Sequence, residues 1–91
     1  MIEKILDNYM TKNLLRILKP IALKRHVHLK IDENKNLIIV YAKDLSLSDY
    51  HYKRIFSFYK EDAIYYLCNL KETEKKFEFI IKKYQEERKE Y

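Results

Sequence analysis

HVHLKIDENKNLIIVY, residues 26–41, is the stretch that decides the fold. Val27, Leu29 and Ile31 alternate with His26, His28, Lys30 and Asp32, and a period of two predicts a half-buried strand. Asp32-Glu33-Asn34-Lys35-Asn36 follows as a turn, with Asn34 or Asn36 as the residue that tolerates the left-handed conformation. Leu37-Ile38-Ile39-Val40-Tyr41 is continuously apolar and predicts a second strand covered on both faces. The two make a β-hairpin. A lone hairpin is only marginally stable in water, so it must lean on helices or pair with another sheet edge.

On the N-terminal side the spacing turns helical. Ile2, Ile5, Leu6 and Tyr9 repeat at helical intervals, and Thr11 is placed to cap a second helix with Leu14, Leu15 and Leu18 on its apolar face. Lys12, Arg16 and Lys19 form its basic face. Pro20, the chain's one proline, lacks an N–H and disfavours the helical conformation at Lys19. Two readings follow: short helices with a third one over residues 20–26, or one kinked helix from 2 to 26.

On the C-terminal side Ser46 or Ser48 can cap a helical pattern running from about Asp49 to Glu90. Tyr52, Phe56, Tyr59, Ala63, Tyr66, Leu70, Thr73, Phe77, Ile80 and Tyr84 keep alternating four-three spacing, the pattern of a coiled-coil seam with one polar slot at Thr73. Asn69 followed by Glu72 resembles a capping box, so the alternative is a break near 69–72 with the chain folding back. A seam of this kind predicts a homodimer with Tyr66, Leu70, Phe77, Ile80 and Tyr84 in the interface.

The expectation is one α+β domain over residues 1–91: short N-terminal helices and a β-hairpin in 1–47, and a long helical association segment in 48–91, dimeric. This element order resembles that of a minimal winged helix. The resemblance lies in order alone and carries no sequence motif. It implies that Ile21 to Val27 takes the place of the recognition helix and Asn34-Lys35-Asn36 that of the wing tip.

Charge points to the partner. Residues 1–30 hold seven Lys/Arg against Glu3 and Asp7, while residues 31–91 balance twelve against twelve. The net charge of +5 therefore lies entirely in the first third. No acidic residue stands between Asn8 and Ile31. Six cations in the stretch 11–30, without local acids, are suited to phosphate contact. The simpler account is a solvated helix face. The expected contacts to double-stranded DNA are Lys12, Arg16, Lys19, Lys24, Arg25, His28 and Lys30, with Lys35 at the hairpin tip. Lys24, Arg25, His28 and Lys30 are expected nearest the ligand. The role would be that of a small repressor of transcription, or of a plasmid or phage DNA-processing factor. The rival is a small phage-type inhibitor that docks on a nucleic-acid enzyme. An RNA binder is a third possibility.

The remaining features carry less. With no glycine, P-loops, dinucleotide fingerprints and nucleophile elbows are excluded together. One cysteine, Cys68, allows no intrachain disulfide and makes the cytosol the natural compartment. On an apolar helix face Cys68 reads as a small core residue with no catalytic partner. His26 and His28, two apart on one strand face, could be joined by His51. Without a nearby cysteine, surface histidines are the simpler account, and no metal or cofactor is expected. Of the nine tyrosines, Tyr59 and Tyr66 are expected in the core, while Tyr50 and Tyr65 stay open. Adjacent acids such as Glu61-Asp62 sit on solvated faces, so no catalysis is expected. No apolar run is long enough to span a membrane, and the N-terminus carries no signal-peptide pattern.

Overall fold

The computed structural model describes the backbone of residues 2–45 and 51–89 and the side chains of residues 8–45 and 51–87. Helix α1 (Ile2–Leu23) leads into strands β1 (Val27–Asn34), β2 (Leu37–Asp44) and β3 (Lys53–Tyr59). A 3-10 turn (Lys60–Asp62) then leads to helices α2 (Ala63–Cys68) and α3 (Leu70–Lys89). The strands form one antiparallel sheet in the order β1-β2-β3. The class is α+β, with one strand more than the periodicity predicts.

Of the two readings at Pro20, the structure takes the single helix. Thr11 lies inside it and caps nothing; its buried hydroxyl has no hydrogen-bond partner. Pro20 is tolerated because it sits in the last turn. The N–H it lacks would have served the carbonyl of Arg16, which is itself a solvent-exposed residue. The helix closes three residues later through Arg25 N–H to the Ala22 carbonyl and His26 N–H to the Leu23 carbonyl, both at 3.0 Å. His26 then adopts φ 60° and turns the chain into β1. Helices commonly end on a left-handed residue that is glycine; this chain has none, and histidine serves. Ile21 to Val27 therefore forms no recognition helix: α1 ends at Leu23 and residues 24–26 are turn.

The hairpin is tighter than expected. Asn34 pairs with Leu37, leaving Lys35 and Asn36 as a two-residue loop. The left-handed residue is Lys35, at φ 57°, rather than either asparagine. In β2 alternate residues are buried, Ile38, Val40 and Ala42 against the helices, while Leu37, Ile39 and Tyr41 on the other face are half-exposed. One face of β2 is covered, not two.

The segment 53–59 is the main departure from the helical expectation. β3 pairs along β2, Phe58 opposite Ile38 and Phe56 opposite Val40, with a bulge at Ile55 beyond which Arg54 meets Tyr41. Phe-Ser-Phe-Tyr over 56–59 alternates as a strand must, and an apolar β2 has two ladder edges to satisfy. Division of the chain at residue 47 therefore cuts through a single sheet. Ser46 and Ser48 lie outside the described residues.

The core forms where the inner sheet face meets α1 and α3. Leu14, Leu18 and Ala22 descend one side of α1; Phe77, Ile81 and Tyr84 descend α3. Between them lie Val27, Leu29, Ile38, Val40, Ala42 and Phe58. Full burial of each large side chain contributes about 1.5–3 kcal/mol. Edge-on aromatic contacts join β3 to the helices, Phe58 to Tyr66 at 5.7 Å and Phe56 to Phe77 at 6.4 Å.

The expected seam is accordingly divided. Tyr52 and Phe56 belong to the sheet region, Tyr59 is exposed, and Phe77 and Tyr84 are buried in their own chain, which removes both from any interface with a second copy. Tyr66, Leu70 and Ile80 are half-buried. The helical run does break at Asn69 (φ −119°, ψ 49°). Its side chain bonds back to the Tyr65 carbonyl at 2.9 Å instead of capping α3. Thr73 fills the break. Its hydroxyl lies 2.9 Å from the Asn69 carbonyl and 3.0 Å from that of Tyr66, and shares one proton between them. Cys68 is exposed, not core.

Candidate nucleic-acid interface

The expected phosphate contacts fall into three groups. Lys12, Arg16 and Lys19 are exposed along one flank of α1. Beside them runs an open groove of about 400 Å³, completed by Leu15, Pro20, Leu23 and Ile31 and lined by no carboxylate. Ile31 belongs to β1, an edge strand, so the groove lies where the helix overhangs the free edge of the sheet. Lys24 and Arg25 continue the flank in the exposed turn. That turn is held from behind, because the Gln85 amide donates to the Arg25 carbonyl at 2.8 Å.

His28 and Lys30 form the second group, on the opposite face of β1. Val27 and Leu29 point to the helices, and by alternation His28 and Lys30 point to the uncovered side. There they meet Lys43 and Tyr41 of β2, together with Tyr52 and Arg54, which the helical expectation for 49–90 places elsewhere. His28 pairs with Lys43 and Lys30 with Tyr41 across β1–β2, and Arg54 pairs with Tyr41 across β2–β3. Tyr52 lies among them: its hydroxyl is hydrogen-bonded to His28 Nδ1 at 2.9 Å. Lys30 Nζ and Lys43 Nζ stand 5.7 and 5.9 Å from its ring centroid, within cation–π range. Arg54 is oriented by a 2.9 Å bond to the Ser57 hydroxyl. Asp32 is the one carboxylate among the strand residues of this face.

Lys35 stands apart. Seven residues separate it from His28, about 24 Å along an extended strand. At that end of the sheet Lys60 is paired with Glu33. The hairpin tip is therefore a mixed-charge region.

Sequence reasoning missed Tyr41, Lys43, Tyr52 and Arg54. The alternation of Phe56, Ser57, Phe58 and Tyr59 was the signal that could have placed Tyr52 and Arg54 beside the hairpin. His26 sits in the turn and does not share a strand face with His28. Among the described residues no three His, Cys, Asp or Glu side chains form a group able to hold a metal. Tyr65 is exposed, Tyr66 half-buried, and Tyr50 lies outside the described residues.

Among the described residues two tyrosines are held above their ordinary range. Burial raises Tyr84, with Asp44 nearby adding to the rise and a backbone hydrogen bond opposing it. Burial also raises Tyr66, helped by the charges of Asp62 and Tyr65. Among the described residues no helix is long and apolar enough to cross a membrane. No family model, curated protein or solved structure matches the chain.

Proposed function

We propose that the chain is a non-catalytic nucleic-acid-binding protein that neutralises phosphates with the exposed flank of α1 and the turn that follows it. The observation that carries this reading is the line of Lys12, Arg16 and Lys19 beside a carboxylate-free groove, extended by Lys24 and Arg25. Double-stranded DNA is the ligand the flank suits, because a regular row of cations on a helix matches a regular row of phosphates. A regulatory or accessory role in DNA transactions follows, as a small repressor or a plasmid or phage processing factor. The β1–β2 hairpin keeps the part of a wing in this proposal, with Lys35 at its tip. A homodimer would use the side of α3 where Phe79 is exposed and Ile80 half-buried beside it.

The test is an anisotropy titration with blunt duplex DNA from low to physiological salt. Affinity should fall steeply with salt, and Lys12→Ala/Arg16→Ala/Lys19→Ala should lower the log–log slope by about 3, close to one per lost phosphate contact. Lys24→Ala/Arg25→Ala should weaken binding further. Absence of binding at low salt would overturn the proposal and favour the protein-docking inhibitor. That second reading is supported by exposed Phe79 beside Lys82, Lys83 and Glu86 on α3.

A further inference from the structure

We propose that the uncovered face of the sheet is a second contact surface, a stacking platform for an unpaired nucleic-acid strand, with Tyr52 as its aromatic contact. This rests on the phosphate-binding reading above and refines its ligand: a duplex that carries a single-stranded extension.

Three observations carry it. The first is chemical composition. Tyr52 is surrounded by His28, Lys30 and Lys43, with Arg54 two residues further along the chain in β3, and an aromatic ring beside cations suits an unpaired nucleotide. The ring offers a π-face to the base, and the cations offer partners to the phosphates. Such contacts tolerate any sequence, since every base has a face to stack.

The second is preorganisation. Tyr52 is fixed by its 2.9 Å bond to His28 and by two ammonium groups near its ring, yet 37% of it remains exposed. A ring already held in place loses little conformational freedom when a base settles on it. Tyr41, half-exposed on the same face, extends the aromatic surface toward the sheet centre.

The third is shape. A B-DNA major groove about 12 Å wide admits a helix or a two-stranded ribbon. Three strands spaced about 4.8 Å apart, with side chains on both margins, are too broad to enter it. A single strand can lie flat across them. The α1 flank and the open face meet along the free edge of β1, so one ligand crossing that edge reaches both.

The experiment compares a blunt duplex with the same duplex carrying an oligo-dT or an oligo-U tail, by anisotropy, on the full chain. The tail should raise affinity about five-fold or more, as expected for stacking of one base or more. Tyr52→Ala should erase that gain, whereas Tyr52→Phe should retain most of it. Lys30→Glu, at a second exposed position, should also remove the gain. Melting curves check that each variant stays folded. The two tails distinguish a deoxyribose from a ribose extension. Equal affinity for blunt and tailed duplexes, or a tail gain that survives both Tyr52→Ala and Lys30→Glu, overturns the platform and leaves the phosphate reading standing. Binding to none of the three ligands at low salt overturns both.

Discussion

The hydroxyl of Tyr84 accepts the backbone N–H of Asp44 at 3.0 Å and donates to the Ala42 carbonyl at 3.3 Å. One side chain of the last helix thus completes the hydrogen bonding at the end of the central strand. Tyr84→Phe removes the acceptor while keeping the ring. A buried N–H left without its partner costs about 1–3 kcal/mol. For a domain of this size each 1 kcal/mol lowers Tm by about 4–8 °C. Thermal melting followed by circular dichroism measures the loss.

The same tyrosine makes stability depend on alkaline pH. An unfolded tyrosine titrates near about 10, and burial holds Tyr84 above that in the fold. Above about pH 10 the unfolded chain has released protons that the folded chain still holds, so stability falls as pH rises. Its contribution is fully present below the unfolded value and is lost progressively toward the folded one. The denaturation midpoint in urea should decline from about pH 10 upward, and less steeply in Tyr84→Phe. An equal slope in that variant would assign the effect to another group.

Left-handed His26 and Lys35 predict a gain of stability. A non-glycine residue in this conformation carries a penalty of about 1 kcal/mol that glycine escapes, partly offset by the greater freedom of glycine in the unfolded chain. His26→Gly and Lys35→Gly should each raise Tm by a few degrees (about 2–5 °C). A fall in Tm at either position would mean that its side chain contributes more than its backbone costs.

Burial separates two neighbouring positions on α3. Phe77 is 2% exposed and packs against Phe56, whereas Ile80 is half-buried. Phe77→Asp places an unpaired charge in the core and should abolish the cooperative melting transition. Ile80→Asp should lower Tm while keeping the transition. A folded Phe77→Asp variant that is half the mass of the wild type would instead restore the intermolecular seam.

The hairpin was legible because its alternation is long enough to fix both period and direction. The third strand was not, because Tyr52, Phe56, Tyr59 and Ala63 are spaced four, three and four apart, which fits a helix as well. Seven residues are too few for periodicity to decide between the two. What decides is tertiary: β2 has a free ladder edge on one side and Phe58 and Phe56 fit beneath it. The cations of the α1 flank were legible as charge, since an acid-free run needs no fold to be seen. The grouping of Tyr52 with His28, Lys30 and Lys43 was hidden, because it depends on how β3 is registered against β2. Lys35 lies five positions beyond Lys30, the last cation of the basic run, and the extended strand sets it about 24 Å from His28.

The order in which the chain is made gives α3 a further consequence. The inner sheet face needs Phe77, Ile81 and Tyr84 as its cover, and these leave the ribosome after all three strands. Until then Ile38, Val40 and Phe58 are only half enclosed, by α1 alone. The nascent protein therefore passes through a stage with a finished sheet and an open core, when it is most exposed to chaperones and proteases.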